Sequence, residues 1–214
     1  MGSWLSALLV GFGLWTGSGV APAPLAAVDV VEGRVSRSGQ PAAGAVVYLV
    51  RQPAGGLRGG EAPNVVTAAD TVVLDQRGLM FLPSVLAVQP GTTVAFLNND
   101  FILHNVFSPG RAIGVGDPFD LGTYSRGEMR YHTFPDQGAH TILCNVHPEM
   151  LAYVVSVPAE HSAVTDSDGR FSMGDVPSGS YRLHVWHPQS PAYEAAVRVR
   201  PDLRPLSISL QADD

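Results

Sequence analysis

HTILCNVHPEMLAYVVSV, residues 140–157, reads as two strands joined by a tight polar loop. HTILC ends the first strand and LAYVVSV forms the second. Between them CNVHPEM (144–150) holds the only cysteine of the chain, followed at three-residue intervals by His147 and Met150. A short loop between strands can turn three side chains towards one point without helical geometry. A thiolate, an imidazole and a thioether then share a small volume.

Strand patterns continue upstream of this pair. Between Thr71 and Phe134 come TVVLDQ, VLAV, TTVAFLNN, FDLGTY and EMRYHTF, punctuated by Gly, Pro, Asn and Asp. With the two strands around Cys144, about seven or eight short strands are predicted in a region of about ninety residues, as in a compact antiparallel sandwich. Further out, VDVVEGRVSRSGQPAAGAVVYLV (28–50) reads as two strands around a turn. In TDSDGRFSMGDVPSGSYRLHVWHP, Tyr181, Leu183 and Val185 alternate with Arg182, His184 and Trp186, and near the end Leu206, Ile208 and Leu210 alternate with serines. Neither terminal part has enough strands to close a core alone. Residues 28–52 are therefore expected to pair with 159–212 as one discontinuous domain, with the 70–158 sandwich inserted between them and 53–69, rich in glycine, as a linker. The fold class read from this pattern is all-β.

Composition agrees with that class: 23 Gly and 17 Pro among 214 residues favour turns over long helices. All 13 cationic residues are arginine, scattered along a chain of net charge −6, which excludes a nucleic-acid partner on electrostatic grounds. Residues 1–27 carry an apolar run from Leu5 to Trp15, then small residues and prolines, and are expected to be a cleaved export signal. The run is short for a membrane span, so the processed chain is expected in the periplasm or otherwise exported, not integral to a membrane. A lone cysteine in an oxidising compartment has no partner in its own chain. It must pair with another chain, stay buried, or bind a metal.

NNDFILHNVFS offers a second imidazole, His104, after a strand and a turn. Two His nitrogens and a Cys thiolate in a trigonal plane with a weak axial Met describe a blue-copper site. Soft sulfur favours Cu(I), imidazole suits Cu(II), and a rigid frame limits rearrangement between the two. Zinc in a closed structural site takes four Cys/His ligands and no thioether, and no cysteine-protease signature surrounds Cys144. Both alternatives fall behind copper.

The segments FLPSVLAVQPGTTVAFLNNDFILHNVF and TILCNVHPEM resemble those of the cupredoxins, with ligand-loop spacing closest to the amicyanins. The resemblance covers roughly residues 70–158. It implies a Greek-key β-sandwich and one type 1 copper per chain, bound by His104, Cys144, His147 and Met150. It also implies that Asn105 braces the ligand loop with its side chain and directs its backbone N–H at the Cys144 sulfur. The outer segments VEGRVSRSGQPAAGAVVYLV and TDSDGRFSMGDVPSGSYRLHV resemble the carboxypeptidase regulatory-like domain, a small transthyretin-like sandwich. The combination, with LGTYSRGE and YRLHVWHP, is similar to exported bacterial proteins labelled methylamine utilization proteins, although no residue here specifies that substrate.

Several other residues are given structural roles. His132 and His140 are expected to be partly exposed on strands, His184 and His187 to flank Trp186 at an aromatic strand edge, and Asp166 and Asp168 to form a tight turn. Pro148, Leu151, Phe107 and Ile102 are candidates for an apolar collar at the copper end, through which His147 would meet redox partner proteins by transient docking. The expected function is one-electron transfer without enzymatic activity of its own. The alternatives are copper storage or delivery, and an adhesion or scaffold role with a structural copper.

Overall fold

The computed structural model describes residues 28–53, 71–112 and 114–212. The expected export signal, 1–27, and all but the first residue of the expected linker, 53–69, lie outside the described residues. Apart from one 3₁₀ turn at Gly110–Ala112, the described regular structure is all strand. The protein is an all-β sandwich protein, with two facing pairs of sheets.

The first pair is built from the two ends of the described chain. In one sheet β1 (Val28–Arg37) lies between β14 (Arg170–Pro177), antiparallel, and β17 (Leu206–Leu210), parallel, with the two-residue β2 (Gln40–Pro41) at its end. The other sheet has the order β13 (His161–Val164), β3 (Val46–Arg51), β15 (Gly179–His187), β16 (Ser190–Val199). Alternation decides which side chains go inward. Tyr181, Leu183 and Val185 of β15 meet Val31, Val35, Phe171 and Ile208 of the facing sheet in one buried cluster. Gly33 is required by the approach of β17: a Cβ there would stand 2.6 Å from the Leu206 carbonyl and 2.7 Å from the Phe171 ring.

The second pair lies between these segments in sequence. One sheet runs β10 (Met129–Phe134), β7 (Thr92–Asn98), β4 (Val72–Gln76), β5 (Phe81–Leu82). Its partner runs β6 (Val85–Val88), β12 (Leu151–Ser156), β11 (Gly138–Leu143), β8 (His104–Ser108), β9 (Phe119–Tyr124). Leu74, Phe96, Phe134, Ile142 and Val154 fill the space between, and Cys144 and Met150 belong to the same cluster.

LAYVVSV is apolar almost without interruption because both of its faces are covered. Ala152 and Val154 point into the second sandwich, whereas Val155 and Val157 pack with Val46 and Val85, and with Tyr48, Tyr153 and Trp186, in a small cluster between the sandwiches. A run buried on both sides loses the period of two that a half-exposed strand shows. Two strands of the second sandwich were not anticipated, the very short β5 and β8, which begins at His104 itself, and in the first pair of sheets β2, β13 and β16 were not anticipated either.

Candidate metal centre

Strand pairing sets the site. β8 lies between β11 and β9, with Phe107 opposite Leu143. This places His104, at the start of β8, beside Cys144, the first residue past the end of β11. The chain then turns, with the Met150 N–H donating to the His147 carbonyl at 3.0 Å, and re-enters the sheet as β12. His104, Cys144 and Met150 are 0%, 2% and 1% exposed, while His147 is half-buried.

The donor atoms of three of these residues converge. His104 Nδ1 is 3.9 Å from Cys144 Sγ and 3.1 Å from His147 Nδ1, and the three ligating atoms lie within 4.8 Å of one another. Donors that share one ion at about 2.0–2.3 Å sit roughly 3–4 Å apart, so this spacing fits a metal. Two bare imidazole nitrogens at 3.1 Å repel unless a proton or cation lies between them. Met150 is buried in the same apolar cluster as Cys144.

The far edge of His104 is engaged by a carboxylate. Its Nε2 is 2.8 Å from Asp100 Oδ2, which selects the tautomer with the proton on Nε2 and leaves Nδ1 bare. Asp100 is itself held by the main chain: Gly78 N–H donates to Oδ1 at 2.6 Å and Leu79 N–H to Oδ2 at 3.1 Å. Both residues are left-handed, with φ of 62° and 60°, a conformation that costs Leu79 about 1–2 kcal/mol. Burial alone would push the Asp100 carboxyl up. The Gly78 and Leu79 N–H groups, together with the His104 ring, outweigh it and hold Asp100 below the ordinary carboxylate value.

A second group of bonds ties the Cys144 loop to β8. Asn105 N–H points at Cys144 Sγ at 3.5 Å, and Asn105 Oδ1 accepts from Asn145 N–H at 3.2 Å. Asn105 Nδ2 donates to Asp120 Oδ1 at 2.6 Å, and Asn145 Nδ2 reaches Asp120 Oδ2 at 3.5 Å. From beneath, Gln76 Nε2 donates to the Asn105 carbonyl at 3.2 Å. Asp100 and Asp120 were not among the residues expected at the site. Asp100 had a faint sequence signal, four residues before His104; Asp120 is fifteen residues from Asn105 in sequence and had none.

At the surface, Phe101 (86% exposed), Ile102, Leu103 and Val146 line a shallow groove of about 460 Å³ with Ser125, Arg126 and His147. The Arg126 guanidinium sits 3.7 Å over the Phe101 ring. The expected collar is corrected in part. Ile102 lies in this groove, but Phe107 is opposite Leu143 within the sheet, and Leu151 lines a different groove with Tyr153 and Trp186.

The remaining histidines form no further cluster of three metal-binding side chains among the described residues. His140 is buried rather than partly exposed, its Nε2 2.9 Å from the Asp136 carbonyl, because β11 is an interior strand. His132 is half-buried and stacks on Phe119 with ring centroids 3.7 Å apart. His184 contacts Glu194 at 3.2 Å and stacks on Tyr48. Asp166 Oδ1 accepts the N–H groups of Asp168 and Arg170, a turn as expected.

No protein-family model matches the chain, and no curated protein matches it in sequence. Similar solved structures include amicyanin from Paracoccus versutus, at 24% identity over 43% of this chain and 86% of that one. An oxidised point mutant of amicyanin is 23% identical over 41% of this chain and 82% of its own. A copper-containing nitrite reductase from Thermus scotoductus is 26% identical over 41% of this chain and 22% of its own. Each superposes with a TM-score of 0.38, too low to support an inference about fold or site.

Proposed function

We propose that this chain is an exported one-electron carrier for one mononuclear type 1 copper, which His104 Nδ1, Cys144 Sγ and His147 Nδ1 would hold as principal ligands, with Met150 as a fourth, weaker donor. The observation that carries the reading is the convergence of one buried thiol and two imidazole Nδ1 atoms within 4.8 Å. The donor set suits copper: thiolate and thioether are soft, imidazole is accepted by both oxidation states, and a closed zinc site has no use for the thioether. Bound there, copper would supply reversible one-electron chemistry, Cu(II) accepting one electron from a reduced partner and Cu(I) returning it to an oxidised one.

The chain's own groups favour a site that changes little between the two states. Asn105 fixes Asn145 and directs a backbone N–H at the thiolate, which disperses its negative charge. Burial of His104, Cys144 and Met150 excludes water from all but the His147 side. That half-exposed imidazole stands in the apolar groove of Phe101, Ile102, Leu103 and Val146, a surface suited to brief docking of redox partners. The carrier reading assigns no catalysis to the chain itself.

Storage or delivery of copper draws on the same soft donors, and metal exchange separates the two. The carrier is expected to hold one copper per chain through repeated reduction and reoxidation in the presence of a Cu(I) chelator. Transfer of Cu(I) to the chelator on reduction would replace electron carriage with delivery.

A further inference from the structure

We infer that Asp100 is a positioning residue for the proposed copper site, its carboxylate orienting His104 and raising the donor strength of Nδ1 so that the oxidised ion is favoured. The inference rests on the copper reading above. It concerns a residue outside the expected ligand set, and it follows from how the carboxylate is held.

His104 is fully buried, and Asp100 Oδ2 lies 2.8 Å from its Nε2. An imidazole that donates its far N–H to a carboxylate has its tautomer and ring orientation fixed and becomes a more basic ligand. Asp100 did not simply drift onto the ring. The Gly78 and Leu79 N–H groups grip one oxygen each, and Asp100's own N–H donates to Asn98 Oδ1 at 2.9 Å. Asn98 in turn donates to the Ile102 and Tyr124 carbonyls, so the turn that leads into His104 is pinned at several points. Among the described residues, the Asp100 carboxylate meets the His104 ring and no arginine. Its negative charge is thus directed at the ligand ring rather than consumed by an arginine.

The electronic consequence follows from charge. Loss of an electron from the site adds one positive charge next to Nδ1, and a fixed anion on the other side of the ring stabilises that state more than the reduced one. Asp100 therefore lowers the reduction potential. Removing such a partner of a ligating histidine typically weakens metal binding about 10–100-fold. A tenfold loss confined to Cu(II) raises a one-electron potential by about 59 mV.

The test is the midpoint potential of copper-loaded wild-type protein and Asp100→Asn, with absorption spectra and thermal unfolding measured on the same samples. Expected are a thiolate–Cu(II) band in both proteins and a potential at least about 59 mV higher in Asp100→Asn, returned towards the wild-type value by Asp100→Glu. A blue Asp100→Asn protein of unchanged potential, even if less stable, would reduce Asp100 to a turn cap and overturn the inference alone. Wild-type protein without the thiolate band would overturn the copper reading, and the inference with it. Should Asp100→Asn fail to fold, nitrogen NMR of the metal-free wild type decides, because there no metal fixes the tautomer: a proton on His104 Nε2, facing Asp100, is expected, and one on Nδ1 with Nε2 bare would overturn the inference.

Discussion

His104 Nδ1 and His147 Nδ1 stand 3.1 Å apart, brought there from a strand start and a loop forty-three residues distant in sequence. These nitrogens and Cys144 Sγ converge only through folding, so a metal held by them binds the folded chain in preference to the unfolded one. Metal is therefore expected to stabilise the protein. At a free copper concentration 100 times Kd the gain is about 2.7 kcal/mol, read as a rise in Tm. Cys144→Ala is expected to lose most of that gain, whereas equal stability with and without copper would deny the site its metal.

Asn105 hydrogen-bonds with Cys144, Asn145 and Asp120 together. Asn105→Ala removes two side-chain hydrogen bonds and leaves the Asn145 N–H without its acceptor. A loss of about 1–3 kcal/mol in stability is expected, with copper affinity about 10–100-fold weaker. Denaturant unfolding and competitive metal titration check the two parts separately.

Val146 and Ile102 line the groove in which His147 is half-exposed. Val146→Asp and Ile102→Asp are expected to slow electron exchange between two copies of the loaded protein by about tenfold or more, through like-charge repulsion and desolvation at the contact. The absorption spectrum should not change, because neither side chain is a ligand. The exchange rate from NMR line broadening is the measurement.

Gly33 admits β17 against β1, and its Cβ-lined alternative would collide with the Leu206 carbonyl and the Phe171 ring. Gly33→Ala is expected to cost about 1–3 kcal/mol by overpacking. The loss should appear in denaturant unfolding while the copper spectrum stays as in wild type.

Acid should weaken the fold through histidines away from the proposed copper site. His132, His184 and His187 are all held below the ordinary imidazole value, chiefly by burial, with His140 adding to the effect on His132. Each binds its proton less readily folded than unfolded, so the unfolded chain takes up protons first. Stability is full above the unfolded value near 6.5 and is lost as pH falls from there through the lower folded values. The denaturation midpoint of metal-free protein should drop between about pH 7.5 and 5. His132→Gln should shrink that drop.

The candidate metal centre was more legible in the sequence than the frame that holds it. Cys144, His147 and Met150 fall within one seven-residue loop, and His104 follows a turn marked by Asn98, Asn99 and Asp100, so residue type and spacing were visible together. Asp120 was not legible because its partners, Asn105 and Asn145, come from other strands and meet it only through sheet pairing. β8 was missed for a similar reason. His104, Asn105 and Val106 are buried consecutively, so the strand carries no alternating pattern. Strands β15 and β17 of the first pair of sheets did alternate, and both are visible in the sequence. His140 read as a strand residue, but its burial depended on β11 lying between β12 and β8.

The most direct test of the copper reading is the visible and electron-spin-resonance spectrum of the copper-loaded protein beside that of Cys144→Ala. An intense thiolate-to-Cu(II) absorption is expected in the wild type, with the spin-resonance signature of a trigonal His₂Cys site, and both should vanish in Cys144→Ala. A wild-type protein that binds copper but shows no thiolate band, or whose spectrum is unchanged by Cys144→Ala, would contradict it.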